Sequence, residues 1–461
     1  MAPRITIIGG GSYQWAPKLV IDVANTPSLE AAEVVLCDID PAPLPRMVEL
    51  VEHIVALRGI PMSVRAITDQ REALAGAEYV VVNISTGGFA SMRHDIEIPE
   101  RYGLRQPVGD SVGPGGIVRA LRNIPVLVGI ARDMADLCPD AWLCNLTNPM
   151  TTLCRAVTRE TEIKTVGLCH EVTGTRFALS QLLETRFADL DLEVTGVNHF
   201  PVITGIGMPE GDDGLAVLRG LIDDDERLQE TVFLDLPEGM DLGEFTEVVT
   251  GPEWTKAALL DQHQLKLELF RRFGVLPAAG DRHLAEFLPG CVTEESGWGA
   301  RWGVKLTSIA DRERGQAAHV ADFEALLASD HISRAPSGEM LAPLIDSMLR
   351  DVPRHLPLNI PNAGQCPDLP VDAVVESMCV VDGAGVRGGE PVVAPAGLAE
   401  QLRRVAAAQE LTVEAAVSGD RERVLEAMLA DPLAGRGDFC ELVEMTDELL
   451  EATSPWLPQF V

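Results

Sequence analysis

The sequence predicts an α/β fold in which a doubly wound parallel sheet is followed by a closely packed α+β region. Short apolar segments rich in β-branched residues alternate with helical segments through the first half of the chain. The first apolar segment, residues 4–10, runs directly into a glycine turn, and the alternation stops near residue 195. With 461 residues, the chain is long enough for two or three domain-sized cores.

Six predicted strands are joined by predicted helices in the first half, which is the pattern of a doubly wound sheet. The strand segments are residues 4–10, 32–40, 63–68, 77–85, 141–149 and 164–169. The clearest helical segments are residues 16–26, 43–59 and 124–139, the second of them ending at Gly59. We therefore predict a Rossmann-type dinucleotide-binding domain over residues 1–195.

Residues 196–461 are predicted to form an α+β domain for substrate binding and oligomerisation. No low-complexity linker separates it from the first domain, so close packing is expected. Strand-like segments are residues 192–207 and 355–392, and helices are expected at 215–230, 256–273, 315–329, 338–350 and from Gly397 onward. Residues 276–306, rich in Gly and Trp, are predicted to be a structured loop.

Composition excludes several classes of protein. The formal net charge of −33 disfavours binding to nucleic acid or to an anionic membrane surface. The nine cysteines are scattered without a CxxC pair, which is typical of a reducing compartment. No run of eighteen apolar residues and no secretory signal is visible, so we expect a cytoplasmic protein without membrane or nucleic-acid partners.

The turn after the first strand predicts a dinucleotide site. Gly9 allows the sharp turn, while Gly11 and Ser12 let a pyrophosphate approach the backbone at a helix N-terminus. Gln14 stands where the fingerprint has its third glycine, which weakens the match without abolishing phosphate binding.

Polar residues after later strands complete the predicted cofactor site. Asp38 or Asp40, at the end of the second strand, would bind the ribose hydroxyls of NAD. Thr86 lies in the small-residue turn 83–88, on the expected nicotinamide side, and Asn145 ends the fifth strand. We predict Asp38, Thr86 and Asn145 as cofactor-binding residues.

A second constellation could hold a metal ion. Cys169, His170 and Glu171 follow the sixth strand directly, and Asn198 and His199 end a later one. One thiolate and one imidazole can bind a divalent ion if substrate oxygens complete the shell. From spacing alone, a buried thiol and a structural histidine remain the alternative.

A series of motifs, in order, resembles glycoside hydrolase family 4, the NAD-dependent and usually manganese-dependent glycosidases. The match runs from residue 5 to about residue 390. The motifs are GGGS, DID, YGLRQPVGDSVGPGGIVRALRNIPV, NLTNPM, GLCHEV, GVNHF, GVLPAAGDRHLAEFLP and NIPNAG.

The resemblance implies that NAD is a catalytic instrument with no net redox change, in contrast to glycosidases that use two carboxylates. In the family, the sugar is oxidised at C3 by hydride transfer to NAD, and a base then removes the acidified C2 proton so that the aglycone leaves. Water adds at C1, and the retained NADH reduces C3 again. A metal ion that polarises the C3 carbonyl stabilises the enolate formed on the way.

The resemblance also assigns roles to residues of this chain. Cys169 and His199 match the metal ligands, and Asn148 matches a residue that contacts the substrate. Asp110 matches a site carboxylate, and Asp281 matches the proposed C2 base of the α-glycosidase-like members.

Phospho-glycosidase members use a tyrosine base, whereas the three tyrosines here all precede residue 103. This favours Asp281, with His263 and His283 as stand-ins. The acid that assists the leaving group is left open between His170 and Glu171.

The expected substrate is an α-linked hexoside with an anionic C6 group, such as a uronide or a sulfoquinovoside. His170 after the metal-binding cysteine resembles members that act on non-phosphorylated sugars. Arg282, His283, Arg301 and Trp302 supply positive charge and an aromatic face in an otherwise acidic chain, so we predict them as substrate-binding residues. A solvated loop with packing tryptophans is the alternative for this region.

Other functions remain open at this point. A neutral α-galactoside or α-glucoside is the second choice of substrate. An NAD-dependent dehydrogenase of the lactate and malate type, or a non-catalytic sugar or nucleotide sensor, would use the same fold. The family resemblance also implies a homodimer or homotetramer.

Overall fold

The computed structural model describes residues 2–223, 263–288 and 290–460. Its framework is a sheet of nine strands, six of them parallel in the spatial order β3-β2-β1-β4-β5-β6. These six strands are β1 (Arg4–Ile8), β2 (Glu33–Cys37), β3 (Ser63–Ile67), β4 (Tyr79–Val82), β5 (Trp142–Asn145) and β6 (Lys164–Gly167). The predicted doubly wound sheet of six strands is confirmed, with the strand order of a dinucleotide-binding fold.

The second half of the chain adds strands in two places. A small antiparallel sheet consists of β7 (Asp191–Val197), β8 (Phe200–Gly207) and β9 (Leu276–Pro277). The large sheet continues beyond β6 with β10 (Arg354–Pro361), β11 (Val374–Asp382) and β12 (Gly385–Gly388), all antiparallel to their neighbours. Asn359 of β10 pairs with Gly167 of β6 and with Glu376 of β11.

Helices cover both faces of the large sheet. In the first half they are α1 (Ala16–Asn25), α2 (Leu44–Arg58), α3 (Gln70–Leu74), α4 (Gly88–Arg101), α5 (Gly113–Leu137), α6 (Met150–Glu160) and α7 (Glu171–Leu182). In the second half they are α8 (Gly214–Asp223), α9 (Gln264–Phe273), α10 (Asp281–Phe287), α11 (Ile309–Leu327), α12 (Leu341–Arg350), α13 (Ala396–Ser418), α14 (Arg421–Ala430) and α15 (Phe439–Ala452).

Alternate residues of the central strands enter two different cores. Ile5 and Ile7 pack with α1, α2, α11 and α12, whereas Ile8, Val35 and Val80 pack with α5, α13, α14 and α15. A sheet buried on both faces needs apolar side chains at nearly every position, which explains the continuous apolar runs in the sequence. Helices α11 to α15 and strands β10 to β12 pack into the same two cores as the first half of the chain. These cores do not divide at residue 195, and the domain boundary there stays a prediction.

Local expectations were met to different degrees. Gly59 ends α2 in the left-handed conformation (φ 65°), as predicted. The expected loop 276–306 contains the strand β9 and the helix α10, so that expectation was wrong over both elements. Parts of the helices expected at 215–230 and 256–273 lie outside the described residues. No helix in the described ranges is long and apolar enough to cross a membrane.

Candidate active site

The candidate residues lie at the carboxyl edge of the parallel strands. The turns that follow β1, β4, β5 and β6 meet there, beside the point where the chain order reverses between β1 and β4. Ligands of open α/β sheets bind in this crevice.

The glycine turn after β1 is held tightly between its neighbours. The Gly9 and Gly10 N–H groups donate to the Cys37 carbonyl at 2.8 and 2.9 Å. Gly9 has φ 87°, and a Cβ there would lie 1.8 Å from the Asn83 carbonyl oxygen, so only glycine fits. Gln14 is half-buried and precedes α1, which explains why the missing third glycine is tolerated.

Asp38 and Ser12 fix the same turn. Asp38 Oδ2 accepts the Gly11 N–H at 2.9 Å, and Asp38 Oδ1 accepts the Asp40 N–H at 3.0 Å. Ser12 Oγ accepts the Trp15 N–H at 3.2 Å, just before α1. Asp38 therefore orders the backbone that would face the pyrophosphate, and its contact with the ribose stays a prediction.

The predictions for Asn145 and Thr86 have different outcomes. Asn145 is fully buried, with Oδ1 on the Thr147 N–H and Nδ2 on the Thr147 carbonyl. Its side chain shapes the turn after β5 instead of facing a cofactor, so that assignment is corrected. Thr86 is half-buried, and its backbone N–H and carbonyl are bound by Asn123 and Arg122, respectively. Its role on the nicotinamide side of the cofactor stays a prediction.

Asp110, Ser111 and His199 form a hydrogen-bonded chain. Ser111 Oγ lies 2.8 Å from Asp110 Oδ1 and 2.7 Å from His199 Nδ1. A carboxylate only accepts and a hydroxyl has one proton, so Ser111 donates to Asp110 and accepts from His199 Nδ1–H. This leaves the lone pair of His199 on Nε2, the arrangement by which neighbouring groups orient an imidazole for a metal ion.

Asn148 joins this chain from the turn after β5. Its Nδ2 donates to Asp110 Oδ2 at 3.2 Å, while its Oδ1 is buried and without a partner among the described residues. The unsatisfied oxygen can accept a hydrogen bond from a sugar hydroxyl, as the resemblance implies for Asn148.

His283 of α10 faces His199 directly. The two rings are 3.6 Å apart between centroids with an interplanar angle of 31°, and His283 Nδ1 is buried and unpartnered among the described residues. Burial lowers the pKa of both histidines, that of His199 to about 3, so both are neutral at pH 7. Burial opposes the ionisation of Asp110. The positive charge that His283 and His199 carry when they are protonated at low pH outweighs this effect and holds the pKa of Asp110 below its usual value.

Asp281, at the start of α10, is held by the N-terminus of α9. Its two carboxylate oxygens accept the Leu265 and Lys266 N–H groups at 2.7 and 3.1 Å. Burial raises the pKa of Asp281 to about 6 despite these bonds and the nearby Lys266. Each oxygen keeps a further lone pair, so the role as C2 base stays a prediction beside this observed capping role.

Cys169 is buried next to a polar cluster. It packs with Met150 and Val374, and burial raises its pKa well above the usual value. Asn198 Nδ2 donates to Glu376 Oε2 at 3.1 Å. The residue before His199 is thereby held against β11.

His170 and Glu171 differ in charge. Burial lowers the pKa of His170, but Glu339 Oε1, at 3.1 Å from Nδ1, raises it to about 9. Burial raises the pKa of Glu171, but the neighbouring histidines and the Gly280 N–H, which donates at 2.5 Å, lower it to about 2. At neutral pH, His170 carries a proton that it can donate and Glu171 does not.

Arg301 and Trp302 are not brought to the histidines by any contact recorded in the described residues. Arg301 is exposed and donates to the Glu295 carbonyl of its own loop at 3.3 Å, and Trp302 packs against a hydrophobic core. The packing alternative therefore describes this loop better. Arg282, in contrast, donates to the Pro107 carbonyl at 3.1 Å, just before Asp110.

The donor set fits a divalent metal ion. One ligand atom each of Asp110, His199 and His283 lies within 4.8 Å of the others, and no second such group occurs in the residues described. Neutral imidazoles and an ionised carboxylate are the protonation states that metal binding requires. Cys169 is outside this group.

Three residues near Asp110 were missed by the sequence reasoning. Arg119 is buried and donates to the Asn148 carbonyl at 2.9 Å, Arg312 donates to the Val108 carbonyl, and Glu286 accepts the Val108 and Gly109 N–H groups. Arg119 and Glu286 lie within motifs that carry the family resemblance, but spacing gave no reason to prefer them to their neighbours.

Comparison with known proteins places these residues in context. Residues 4–185 match the family described as "Family 4 glycosyl hydrolase", and residues 194–434 match its C-terminal domain. An alpha-glucosidase of Erwinia rhapontici is 30% identical over 99% of both chains. An alpha-galacturonidase of Bacillus subtilis is 31% identical over 93% of both chains.

A solved structure shows the same fold. The 6-phospho-alpha-glucosidase from gut microorganisms, in complex with NAD and Mn2+, matches over the whole of both chains with a TM-score of 0.80. The two sequences are 19% identical, so this likeness concerns the fold.

Proposed function

The chain belongs to family 4 of the glycosyl hydrolases and is a glycosidase, and from this premise we propose that it cleaves an α-linked hexoside with an anionic C6 group, using NAD and a divalent metal ion. Family membership favours this over the dehydrogenase and sensor alternatives. The observation that carries the proposal is the convergence of Asp110, Asn148, His199 and His283, with Asn148 in the turn after β5 at the carboxyl edge of the parallel strands.

The chain's own residues fit the two cofactors. Gly9, Gly11 and Asp38 would hold NAD. His199 would hold the metal ion together with Asp110 and His283, which lie beside it, and with Cys169, which the family resemblance adds as a ligand. When bound, NAD would supply the hydride acceptor for C3, and the divalent ion would supply positive charge that stabilises the enolate.

The protein side chains then bind the sugar and move its protons. Asn148 Oδ1, buried and unpartnered, accepts a hydrogen bond from a sugar hydroxyl. Asp281, its carboxylate fixed by two N–H groups of α9, removes the C2 proton. His170, whose Nδ1 is held by Glu339, is oriented to protonate the leaving oxygen through Nε2.

Three arginines support an anionic C6 group. Arg282 and Arg312 donate to carbonyls of the segment before Asp110, and Arg119 donates to the carbonyl of Asn148, whose side chain binds Asp110. None of them forms an ion pair with a carboxylate within the described part of the chain. Guanidinium groups without a carboxylate partner suit the carboxylate of a uronide, and one relative is an alpha-galacturonidase.

A neutral hexoside remains the second candidate, because another relative is an alpha-glucosidase. A panel of 4-nitrophenyl α-glycosides decides between them: galacturonide, glucuronide, sulfoquinovoside, galactoside and glucoside, each with and without NAD and Mn2+. We expect release from a uronide that requires both additions, without accumulation of NADH. NADH formed one for one with free sugar, with no glycoside cleaved, would overturn the proposal.

The arginine assignment has its own test. Arg282→Gln is expected to reduce kcat/KM for the anionic glycoside at least tenfold more than for the neutral one, roughly the value of a lost charge-assisted contact. Arg301→Gln, in the exposed loop, is the matched control and should change neither value. An equal loss for both sugars in Arg282→Gln would assign Arg282 to the scaffold.

The assembly is proposed to be a homodimer or homotetramer in the cytoplasm. Light scattering of the purified protein measures the first part, and a monomeric mass would contradict it.

A further inference from the structure

The segment 107–109 is held by three side chains from the second half of the chain. Glu286 Oε1 accepts both the Val108 N–H at 2.7 Å and the Gly109 N–H at 2.8 Å. Arg282 and Arg312 donate to the carbonyls of residues 107 and 108. Nearly every polar backbone group of this segment is therefore bound by α10 or α11.

This segment leads directly into the active-site chain. Asp110 follows Gly109 and binds Asn148, and Ser111 follows Asp110 and binds His199. A shift of the two peptide groups at residues 108 and 109 would change the distances from Asp110 and Ser111 to their partners. Displacements of about 1 Å are enough to impair a preorganised site.

Glu286 is an unusual residue for a merely structural contact. Its side chain is 1% exposed, and Oε2 has no partner among the described residues. Leaving a buried polar atom unpaired is energetically unfavourable. Glu286 Oε1 uses both of its lone pairs on the Val108 and Gly109 N–H groups, so this one oxygen fixes two successive peptides.

We propose that Glu286 is a positioning residue: it holds the peptides of Val108 and Gly109 so that Asp110 and Ser111 meet Asn148 and His199. The inference rests on the proposed function, because the metal and sugar site is what Glu286 positions. Glu286 touches neither the sugar nor the metal ion.

The test compares three variants with the wild-type enzyme loaded with NAD. Glu286→Gln keeps an oxygen acceptor, Glu286→Met removes it at similar volume, and Asp346→Asn changes a buried carboxyl of α12 that binds Ser28 and Arg354. The first readout is the dissociation constant of Mn2+, measured by electron paramagnetic resonance of the free ion without substrate. The second is the separation of kcat and KM with the best glycoside.

We expect Glu286→Met to weaken Mn2+ binding by about 10-fold to 100-fold, as loss of groups that orient metal ligands does elsewhere. Glu286→Gln should stay within about threefold of the wild type, because its Oε1 replaces the lost acceptor. Asp346→Asn should leave Mn2+ binding unchanged. The loss in Glu286→Met should also appear in kcat, because the sugar is bound but misaligned.

Several results would overturn the inference. The first is a Glu286→Met variant that binds Mn2+ as tightly as the wild type does. The second is a Glu286→Gln or an Asp346→Asn variant that loses as much Mn2+ affinity as Glu286→Met loses. If Glu286→Met does not fold, Glu286→Asp replaces it, since its oxygens are withdrawn by about one bond length, roughly 1.5 Å. Absence of Mn2+ binding to the wild type would overturn the proposed metal site and the inference together, whereas binding that the variants leave unchanged overturns the inference alone.

Discussion

Glu286 gives a quantitative prediction about pH and stability. Burial, acting against the two N–H bonds, raises the pKa of Glu286 to about 8 from its usual 4.5. The folded protein therefore holds this proton over a pH range in which the unfolded chain has lost it. The stabilisation is fully present below pH 4.5 and is lost as the pH rises through about 8.

The magnitude follows from the width of that range, about 3.5 pH units. Each pH unit changes the free energy of unfolding by about 1.4 kcal/mol, so the total loss attributable to Glu286 is about 5 kcal/mol. Glu286→Gln has no proton to lose at this position. Its stability relative to the wild type should therefore rise with pH over the same range and become constant above about pH 8.

Urea unfolding of the metal-free wild type and Glu286→Gln between pH 5 and pH 9 measures this difference, using fluorescence and circular dichroism together. Burial also raises the pKa of Asp281 and Glu376, to about 6 and about 7. Both groups are present in both proteins, so their effects cancel in the difference. Glu97→Gln, which breaks an exposed pair with Arg93, is the control and should change stability by less than about 1 kcal/mol throughout.

A difference between wild type and Glu286→Gln that stays constant from pH 5 to pH 8 would refute the reasoning. It would mean that Glu286 ionises in the folded protein as it does in water. Water would then have to reach Glu286 Oε2, which is buried and unpartnered here.

Three further predictions concern the site directly. Gly9→Ala should abolish NAD binding in a fluorescence titration, because its Cβ would meet the Asn83 carbonyl oxygen at 1.8 Å; Gly59→Ala, with similar φ but open space, should retain it. Gly116→Ala should weaken Mn2+ binding in a calorimetric titration, because its Cβ would lie 2.6 Å from the carbonyl carbon of Ser111, which orients His199. Gly129→Ala, in the same helix with nothing within 4 Å of its Cβ, should leave Mn2+ binding unchanged. Asp281→Asn should abolish exchange of the substrate C2 hydrogen with deuterium while NAD and Mn2+ still bind; exchange at the wild-type rate would leave Asp281 with its capping role alone.

The parallel sheet was predictable because burial on both faces leaves a strong local signal. Its strands read as apolar runs, and the turn at Gly9 marks the first of them. The antiparallel addition of β10 to β12 was not predictable, since nothing in a strand of eight or nine residues states which sheet edge it will join. The helix α10 was missed because its seven residues are too few for an apolar period to appear.

The site shows the same division between local and tertiary information. Cys169 follows β6, so its place at the carboxyl edge of the parallel sheet could be inferred, whereas His199 follows β7 of the small antiparallel sheet and its approach to Asp110 could not. Asn145 could not be assigned correctly, because whether an Asn after a strand faces a ligand or closes its own turn depends on where Thr147 lies. Arg119 could not be found either, because its partner, the Asn148 carbonyl, is 29 residues away.

The helix α10 explains why the motif GDRHLAEF is so dense in polar residues. Asp281 binds the N-terminus of α9, Arg282 and Glu286 bind the segment before Asp110, and His283 stacks on His199. Residues of one short helix thus contact three separate parts of the site. The other three residues of the helix, Leu284, Ala285 and Phe287, are buried in a hydrophobic core and anchor it. The positions that look least like a core helix in the sequence are therefore those that fix Asp110, His199 and α9 relative to one another.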